Sequence, residues 1–143
     1  MAGKRGRNKQ RGSSAERELF HQFWGEGWTC LRTAGSGSVQ YAAPDLTAGK
    51  EGRLFVIECK AGASIYKYLD KYEVEELQQF AQAFGAEAWI AVRYNHAGWY
   101  FLRPEQLRDT GGRYAVTQEE AEKNGVRFEK LIGKNTEKPP QST

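Results

Sequence analysis

This chain of 143 residues has few of the side chains that carry the commonest hydrolytic chemistries. Its two cysteines and two histidines stand at no spacing that is typical of a metal-binding or nucleophile–base pair. Ser36 is flanked by glycines but lies outside any G-x-S-x-G pattern, and the same segment lacks the lysine of a phosphate-binding P-loop. These absences argue against zinc enzymes, serine and cysteine hydrolases, and P-loop nucleotide hydrolases.

Long hydrophobic runs are also absent. No stretch of about 18 apolar residues occurs, so the sequence predicts no membrane span. The basic first residues lack the apolar core of a signal peptide. Cys30 and Cys59 fall in apolar strand patterns, which predict buried, reduced thiols. We therefore expect a cytoplasmic, intracellular protein without a membrane partner.

What the chain does contain is enough apolar material for one domain and an uneven distribution of charge. Hydrophobic residues make up 39% of the sequence, while the formal net charge is only +3. One acid, Glu16, occurs among the first seventeen residues, which also hold the basic residues Lys4, Arg5, Arg7, Lys9, Arg11 and Arg17. Such a basic arm indicates contacts with nucleic-acid phosphates, or equally a solvated, disordered start.

The order of the apolar patterns predicts an α/β fold with a central mixed five-stranded sheet flanked by helices. Capping-box patterns from Ser13 to Glu16 and from Asp70 to Glu73 predict the starts of two helices. A helix links the third and fourth strands, so we predict that these two strands are parallel. The predicted strands cover residues 28–33, 45–48, 53–60, 88–94 and 99–102, and a weaker pattern predicts a short helix from Thr117.

A group of charged residues stands in an otherwise apolar context near the third strand. Asp45 follows Pro44, and the period of two along a strand puts Glu58 and Lys60 on the same face. Charges on such a strand are costly unless they pair or bind a metal. The carboxylates suit a hard cation, and Lys60 can orient a water or stabilise charge on phosphate oxygens. The pattern indicates a magnesium-dependent phosphodiesterase; the alternative is a plain Glu58–Lys60 salt bridge at a sheet edge.

Five blocks of the sequence also follow the order of a known family. They are RGSSAEREL (11–19), LRTAGSG (31–37), APDL (43–46), LFVIECK (54–60) and FGAEA (84–88). In these blocks the chain resembles the archaeal Holliday-junction resolvases, a branch of the PD-(D/E)xK nuclease superfamily. The resemblance covers about residues 11–102 and implies a restriction-endonuclease-like core.

The resemblance implies an endodeoxyribonuclease that uses Mg²⁺, with Mn²⁺ as an alternative ion. Such enzymes make paired nicks in four-way DNA junctions as homodimers, in recombination and repair. Carried onto this chain, the implied acidic, metal-binding set is Glu16, Asp45 and Glu58, of which the last two bind the metal directly. Lys60 is the implied catalytic lysine, and Ser36 an accessory catalytic or DNA-contacting residue.

The resemblance also implies residues that bind DNA. Arg17 and Arg32 would bind phosphates, assisted by the arm residues Lys4, Arg5, Arg7, Lys9 and Arg11. A helical glutamine near the site would be Gln78 or Gln79. For the dimer contact we expect residues of the last strands and the second helix, with core packing an equal explanation for each: Phe84, Trp89, Trp99 and Phe101.

The predicted organisation has three parts: a basic flexible arm (1–12), a nuclease domain (13–108) and a C-terminal extension (109–143) whose last part is disordered. Two other functions stay open. A nuclease of the same superfamily that cuts linear, flapped or mismatched DNA would use the same residues. A non-catalytic junction-binding protein would keep the fold but would have no need for the carboxylates.

Overall fold

The computed structural model describes residues 2–34 and 41–134, with side chains described from residue 14 onward in the first of these ranges. Its helices and strands follow in chain order. They are α1 (Ala2–Gly25), β1 (Thr29–Arg32), β2 (Leu46–Lys50), β3 (Arg53–Lys60), β4 (Tyr66–Asp70), α2 (Lys71–Phe84), β5 (Glu87–Tyr94), β6 (Gly98–Leu102), β7 (Arg108–Asp109), β8 (Arg113–Thr117), α3 (Gln118–Asn124) and α4 (Phe128–Leu131). No helix in the described ranges has the length and apolar character needed to cross a membrane.

Within the described residues, the central sheet has five strands in the order β1-β2-β3-β5-β6. The pairs β1–β2, β2–β3 and β5–β6 are antiparallel, whereas β3 and β5 are parallel. The parallel pair is joined through α2, because two parallel neighbours need a crossover connection. The predicted fold class and the predicted parallel pairing are both confirmed.

The sheet buries a different apolar layer on each face. On one face, Leu19 and Phe23 of α1 pack with Phe55 and Ile57 of β3. The other face has Val56 in a layer with apolar residues of α2 and β5, namely Val74, Leu77, Ala81, Ile90 and Val92. Alternate residues of β3 thus enter opposite layers. Each fully buried Phe or Leu side chain contributes roughly 1.5–3 kcal/mol, so β3 is held firmly between the two helices.

Two of the residues suggested for a dimer contact belong to the first of these layers. Trp99 and Phe101 of β6 are buried in the folded chain, so their side chains are not available to a second copy. Phe84 is exposed at the end of α2, and Trp89 is partly buried. For Trp99 and Phe101, core packing is therefore the correct explanation.

Some predicted boundaries were wrong. The helical backbone of α1 begins at Ala2 rather than after Ser13, so Ser13 is not an N-cap. Asp70 is the N-cap of α2, but its side chain makes no capping hydrogen bond, and Gly85 ends the helix at φ 71° as its C-cap. The second strand continues to Lys50, two residues beyond the expected 45–48.

The sequence patterns also failed to indicate a second sheet. Residues 66–70, interpreted as part of a polar connection, form β4, and the described sheet has the order β4-β8-β7. Val116 of β8 and Ala121 of α3 are buried against the α2 face, and Phe128 of α4 is buried against the other. Thr117 and Glu120 form the capping box that their spacing predicts.

Candidate active site

The site lies where β2 begins and β3 ends. Leu46 pairs with Ile57 in the antiparallel register, so Asp45 arrives beside Glu58. The Asp45 carboxylate is fixed there, because its Oδ2 accepts a hydrogen bond from the backbone N–H of Cys59 at 2.9 Å. Asp45 is only 6% exposed. The sheet register itself thus brings two carboxyl groups together in a region with little water.

Glu58 holds its proton more strongly than an ordinary glutamate in this arrangement. The pKa of Glu58 is raised to about 9, first by burial and then by the negative charge of Asp45. A side-chain hydrogen bond between the two carboxyl groups adds to the shift, since it stabilises the protonated form of Glu58. At neutral pH Glu58 therefore keeps its proton, although the nearby charge of Lys60 opposes the shift.

This donor chemistry fits a hard divalent cation. Carboxylate oxygens are ligands that Mg²⁺ and Ca²⁺ prefer, and a cation would displace the proton of Glu58. The described residues contain no group of three His, Cys, Asp or Glu side chains that could hold a metal alone. Asp45 and Glu58 therefore fit the type of Mg²⁺ site that uses one or two carboxylates and completes its shell with water and substrate phosphate.

Lys60 lies on the same face of β3 as Glu58 and pairs with a residue of α2. Its Nζ lies 3.0 Å from Oε2 of Glu73. Burial lowers the pKa of Lys60, but the charge of Glu73, a hydrogen bond to it and the charges of Glu58 and Asp45 outweigh burial, so the net shift is upward. Lys60 is thus a fully charged ammonium beside the carboxyl pair.

Glu16 approaches this group from α1. Its Oε2 accepts a hydrogen bond from Nε of Arg32 at 3.1 Å. The pKa of Glu16 is raised by burial and by the charge of Asp45, while Arg32 opposes the shift. Glu16 therefore feels the charge of Asp45 but does not join it in a three-residue ligand group within the described part of the chain. Its role as a ligand stays a prediction.

The remaining predicted residues lie in different settings. Arg17 is exposed on α1, whereas Arg32 is partly buried in its ion pair with Glu16. Gln78 and Gln79 are both exposed on α2. Outside the described residues or side chains lie Ser36, Lys4, Arg5, Arg7, Lys9 and Arg11.

Sequence reasoning missed Glu73. Its spacing from Asp70 matched a capping box, and this pattern concealed a different use of the side chain. One signal was available: Glu73 stands in the first turn of the crossover helix that follows β3, so it returns to the face on which Lys60 lies.

The chain is similar to one protein family along almost its whole length. The family described as "Archaeal holliday junction resolvase (hjc)" matches residues 7–139. A crossover junction endodeoxyribonuclease Hjc of Archaeoglobus fulgidus is 34% identical over 110 residues, which cover 77% of this chain and 81% of the relative. The protein of the same name from Methanocaldococcus jannaschii is 33% identical over 125 residues, covering 87% of this chain and 89% of that protein.

A solved structure agrees with these relatives. The Hjc of Archaeoglobus fulgidus, described as a Holliday junction resolvase from an archaeal hyperthermophile, superimposes with a TM-score of 0.79 at 31% identity. The match covers 85% of this chain and 100% of that chain. The similarity therefore extends to the arrangement of the helices and strands that carry the site.

Proposed function

Because the chain belongs to the archaeal Holliday junction resolvase family, we propose that it is a magnesium-dependent endonuclease that nicks four-way DNA junctions. The observation that carries this proposal is the placement of the buried Asp45 beside the partly buried Glu58, with the Lys60 ammonium near both. Such a group is costly to keep in a fold unless it binds a cation and meets a phosphate.

In the proposed mechanism, Asp45 and Glu58 are the residues that would hold a divalent cation, through carboxylate oxygens. When bound, the cation makes a water more acidic and neutralises charge on the phosphate. Glu58 would serve as a ligand in its carboxylate form, so its proton would pass to solvent when a cation binds. The Cys59 N–H keeps Asp45 in place throughout, because the hydrogen bond comes from the rigid backbone of β3.

Lys60 acts on the phosphate that is being cut. Its ammonium is close to the carboxyl pair and stays charged, so it can stabilise the negative charge that develops on the phosphoryl oxygens. It can also orient the attacking water. Because the Lys60 ammonium is already in position, little reorganisation is needed when negative charge develops on the phosphoryl oxygens.

The other residues bind DNA in this proposal. Arg17, exposed next to Glu16, contacts phosphates, and Arg32 does so while it remains held by Glu16. Ser36, which follows β1 in the sequence, acts as an accessory residue, and the basic arm adds phosphate contacts that carry no sequence information. A homodimer would bring two such sites to one junction, so that a twofold protein makes paired cuts in a twofold substrate.

The decisive experiment compares a synthetic four-way junction with a linear duplex of the same arm sequence, each with Mg²⁺ or excess chelator. We expect paired nicks in the junction alone, only with Mg²⁺, and none with Glu58→Gln. Glu76→Gln, on the exposed side of α2, is the matched control and should cut normally.

Each other outcome rejects a specific part of the proposal. Equal cutting of junction and duplex would leave a nuclease without junction specificity. Binding of the junction without cutting in any metal would leave a junction-binding protein. Cutting by Glu58→Gln at the wild-type rate would remove Glu58 from the site.

A further inference from the structure

The contact between Lys60 and Glu73 joins the site to the crossover helix. Nζ of Lys60 lies 3.0 Å from Oε2 of Glu73, and the two side chains are 29% and 23% exposed. Ion pairs on open surfaces are weak, because water screens them and long side chains lose freedom in forming them. This pair is more enclosed than that, so the position of Lys60 depends on Glu73 more than a surface lysine depends on its partner.

Glu73 is well placed to act as an anchor. It stands in the first turn of α2, where the N–H groups of the helix favour a negative charge. Its Oε2 is buried and accepts no well-aligned hydrogen bond from the described residues, so its contact with the Lys60 ammonium at 3.0 Å is an ion pair. The carboxylate therefore has a favourable place at the start of the helix, and Lys60 is the cation that pairs with it.

Without this anchor, Lys60 has an alternative position. The Asp45–Glu58 pair also attracts its ammonium, since both carboxyl groups raise the pKa of Lys60. A lysine has a long, flexible stem and would move toward the carboxyl pair if Glu73 were lost. There it would occupy the space that the proposed function gives to a cation and would lie away from the phosphate.

We propose that Glu73 is a positioning residue, which holds the Lys60 ammonium at the end of β3 apart from the Asp45–Glu58 pair. This inference rests on the proposed function of Lys60. Glu73 acts through Lys60 and is not assigned a contact with DNA or metal. Through the Lys60–Glu73 ion pair, the position of Lys60 depends on how α2 packs on the sheet.

The test measures single-turnover cleavage of a four-way junction at saturating protein, alongside the Kd for the junction in chelator. We expect Glu73→Ala to slow cleavage by about ten- to a hundredfold with an unchanged Kd, because a small displacement of a catalytic group is enough for such a loss. Glu73→Gln keeps the oxygen acceptor and the shape, so it should recover part of the rate. The exposed neighbour variant Glu76→Gln should match the wild type.

A double-mutant comparison separates positioning from an independent role. If Glu73 acts through Lys60, adding Glu73→Ala to Lys60→Ala produces no further loss of rate. An equal fold loss in both backgrounds would overturn the proposal, as would an unchanged rate in Glu73→Ala alone. Thermal unfolding of Glu73→Gln provides the check on folding, because the isosteric variant keeps the packing of α2.

A readout without DNA keeps the two proposals distinguishable. In protein labelled with ¹⁵N-lysine, we expect an observable Lys60 ammonium signal, assigned by its absence in Lys60→Ala. Glu73→Ala should remove this signal, while Glu76→Gln should keep it. If the wild type fails to cut any junction but this pattern holds, the proposed function fails and the positioning contact stands. If junctions are cut but Glu73→Ala changes neither the Lys60 ammonium signal nor the cleavage rate, only the positioning role is overturned.

Discussion

β3 carries a cation at each end, and the two ends differ in what surrounds that cation. At its start, Arg53 pairs with Glu87 at 3.2 Å, with side chains 43% and 34% exposed. At its end, Lys60 pairs with Glu73 at a similar distance of 3.0 Å, but beside the buried Asp45 and the partly buried Glu58. A short ion pair therefore does not distinguish a site from a surface; an excess of buried carboxyl groups does.

The start of β3 also borders an open cleft. A cleft of about 330 Å³ is lined there by charged side chains together with Trp28 and Ile132. Both of its lysines are already partnered: Lys50 donates to the backbone oxygen of Glu26, and Lys134 pairs with the Glu26 carboxylate. An open cleft is thus not by itself a sign of catalysis, because the residues proposed for catalysis lie at the opposite end of the strand.

The largest expected difference between the two ends concerns the cations themselves. Lys60→Ala should reduce single-turnover cleavage of a four-way junction by about a hundred- to a thousandfold, the range for loss of one group that stabilises transition-state charge. Junction binding in chelator should stay nearly unchanged. Arg53→Ala should cleave at the wild-type rate per folded molecule, because its guanidinium serves Glu87 and the Leu131 carbonyl.

Two results would break this comparison. If Lys60→Ala loses binding in proportion to cleavage, Lys60 is a phosphate contact rather than a catalytic group. If Arg53→Ala slows cleavage as much as Lys60→Ala does, the start of β3 belongs to the active site and the two ends are not different in kind.

A second difference concerns the effect of pH on stability. In the metal-free folded protein, Glu58 keeps its proton up to about pH 9, whereas an ordinary glutamate loses it near 4.5. Between these values the folded state binds the additional proton. The free energy of unfolding should therefore fall as the pH rises, by up to about 1.4 kcal/mol per pH unit from this group.

Denaturant unfolding in excess chelator at pH 5.5, 7 and 8.5 measures this slope. Glu58→Gln cannot lose a proton and should remove most of the slope, with a gain in stability at the highest pH. Glu87→Gln changes the partner of Arg53 at the start of β3 and should leave the slope unchanged. An identical slope in Glu58→Gln and the wild type would show that the carboxyl pair does not hold the proton.

The end of β3 was also the part of the fold that sequence reasoning could predict well. Arg53–Lys60 has the predicted bounds, because apolar residues on both faces of a buried strand and a glycine turn before it leave little choice. Asp45 and Glu58 could be paired from the hairpin alone. Glu73, the partner of Lys60, could not be predicted in this way. The distance between these two side chains depends on how α2 packs on the sheet.

The second sheet shows where the local pattern fails. β4 has the alternation of a strand, but its inward positions include Lys67, which is 4% exposed. Nζ of Lys67 donates to the backbone oxygens of Gly62 and Ser64, at 2.9 and 2.6 Å. A buried lysine satisfied by loop carbonyls has the sequence signature of an exposed one, so the segment was interpreted as a polar connection.

The smallest expected effect concerns the ion pairs that Glu87 makes beside the start of β3. Glu87 accepts from Arg53 and also lies 3.7 Å from Arg103, so Glu87→Gln removes the charge from two ion pairs at once. Exposed pairs contribute about 0–1 kcal/mol each, and the glutamine keeps an oxygen that can accept a hydrogen bond. We expect the free energy of unfolding to change by less than about 1 kcal/mol, with no change in junction cleavage. Chemical denaturation in 50 mM and 500 mM salt checks this, because salt should shrink the difference. A larger loss that salt does not reduce would mean that the start of β3 also holds a charge pair inaccessible to water, and burial would then no longer separate its two ends.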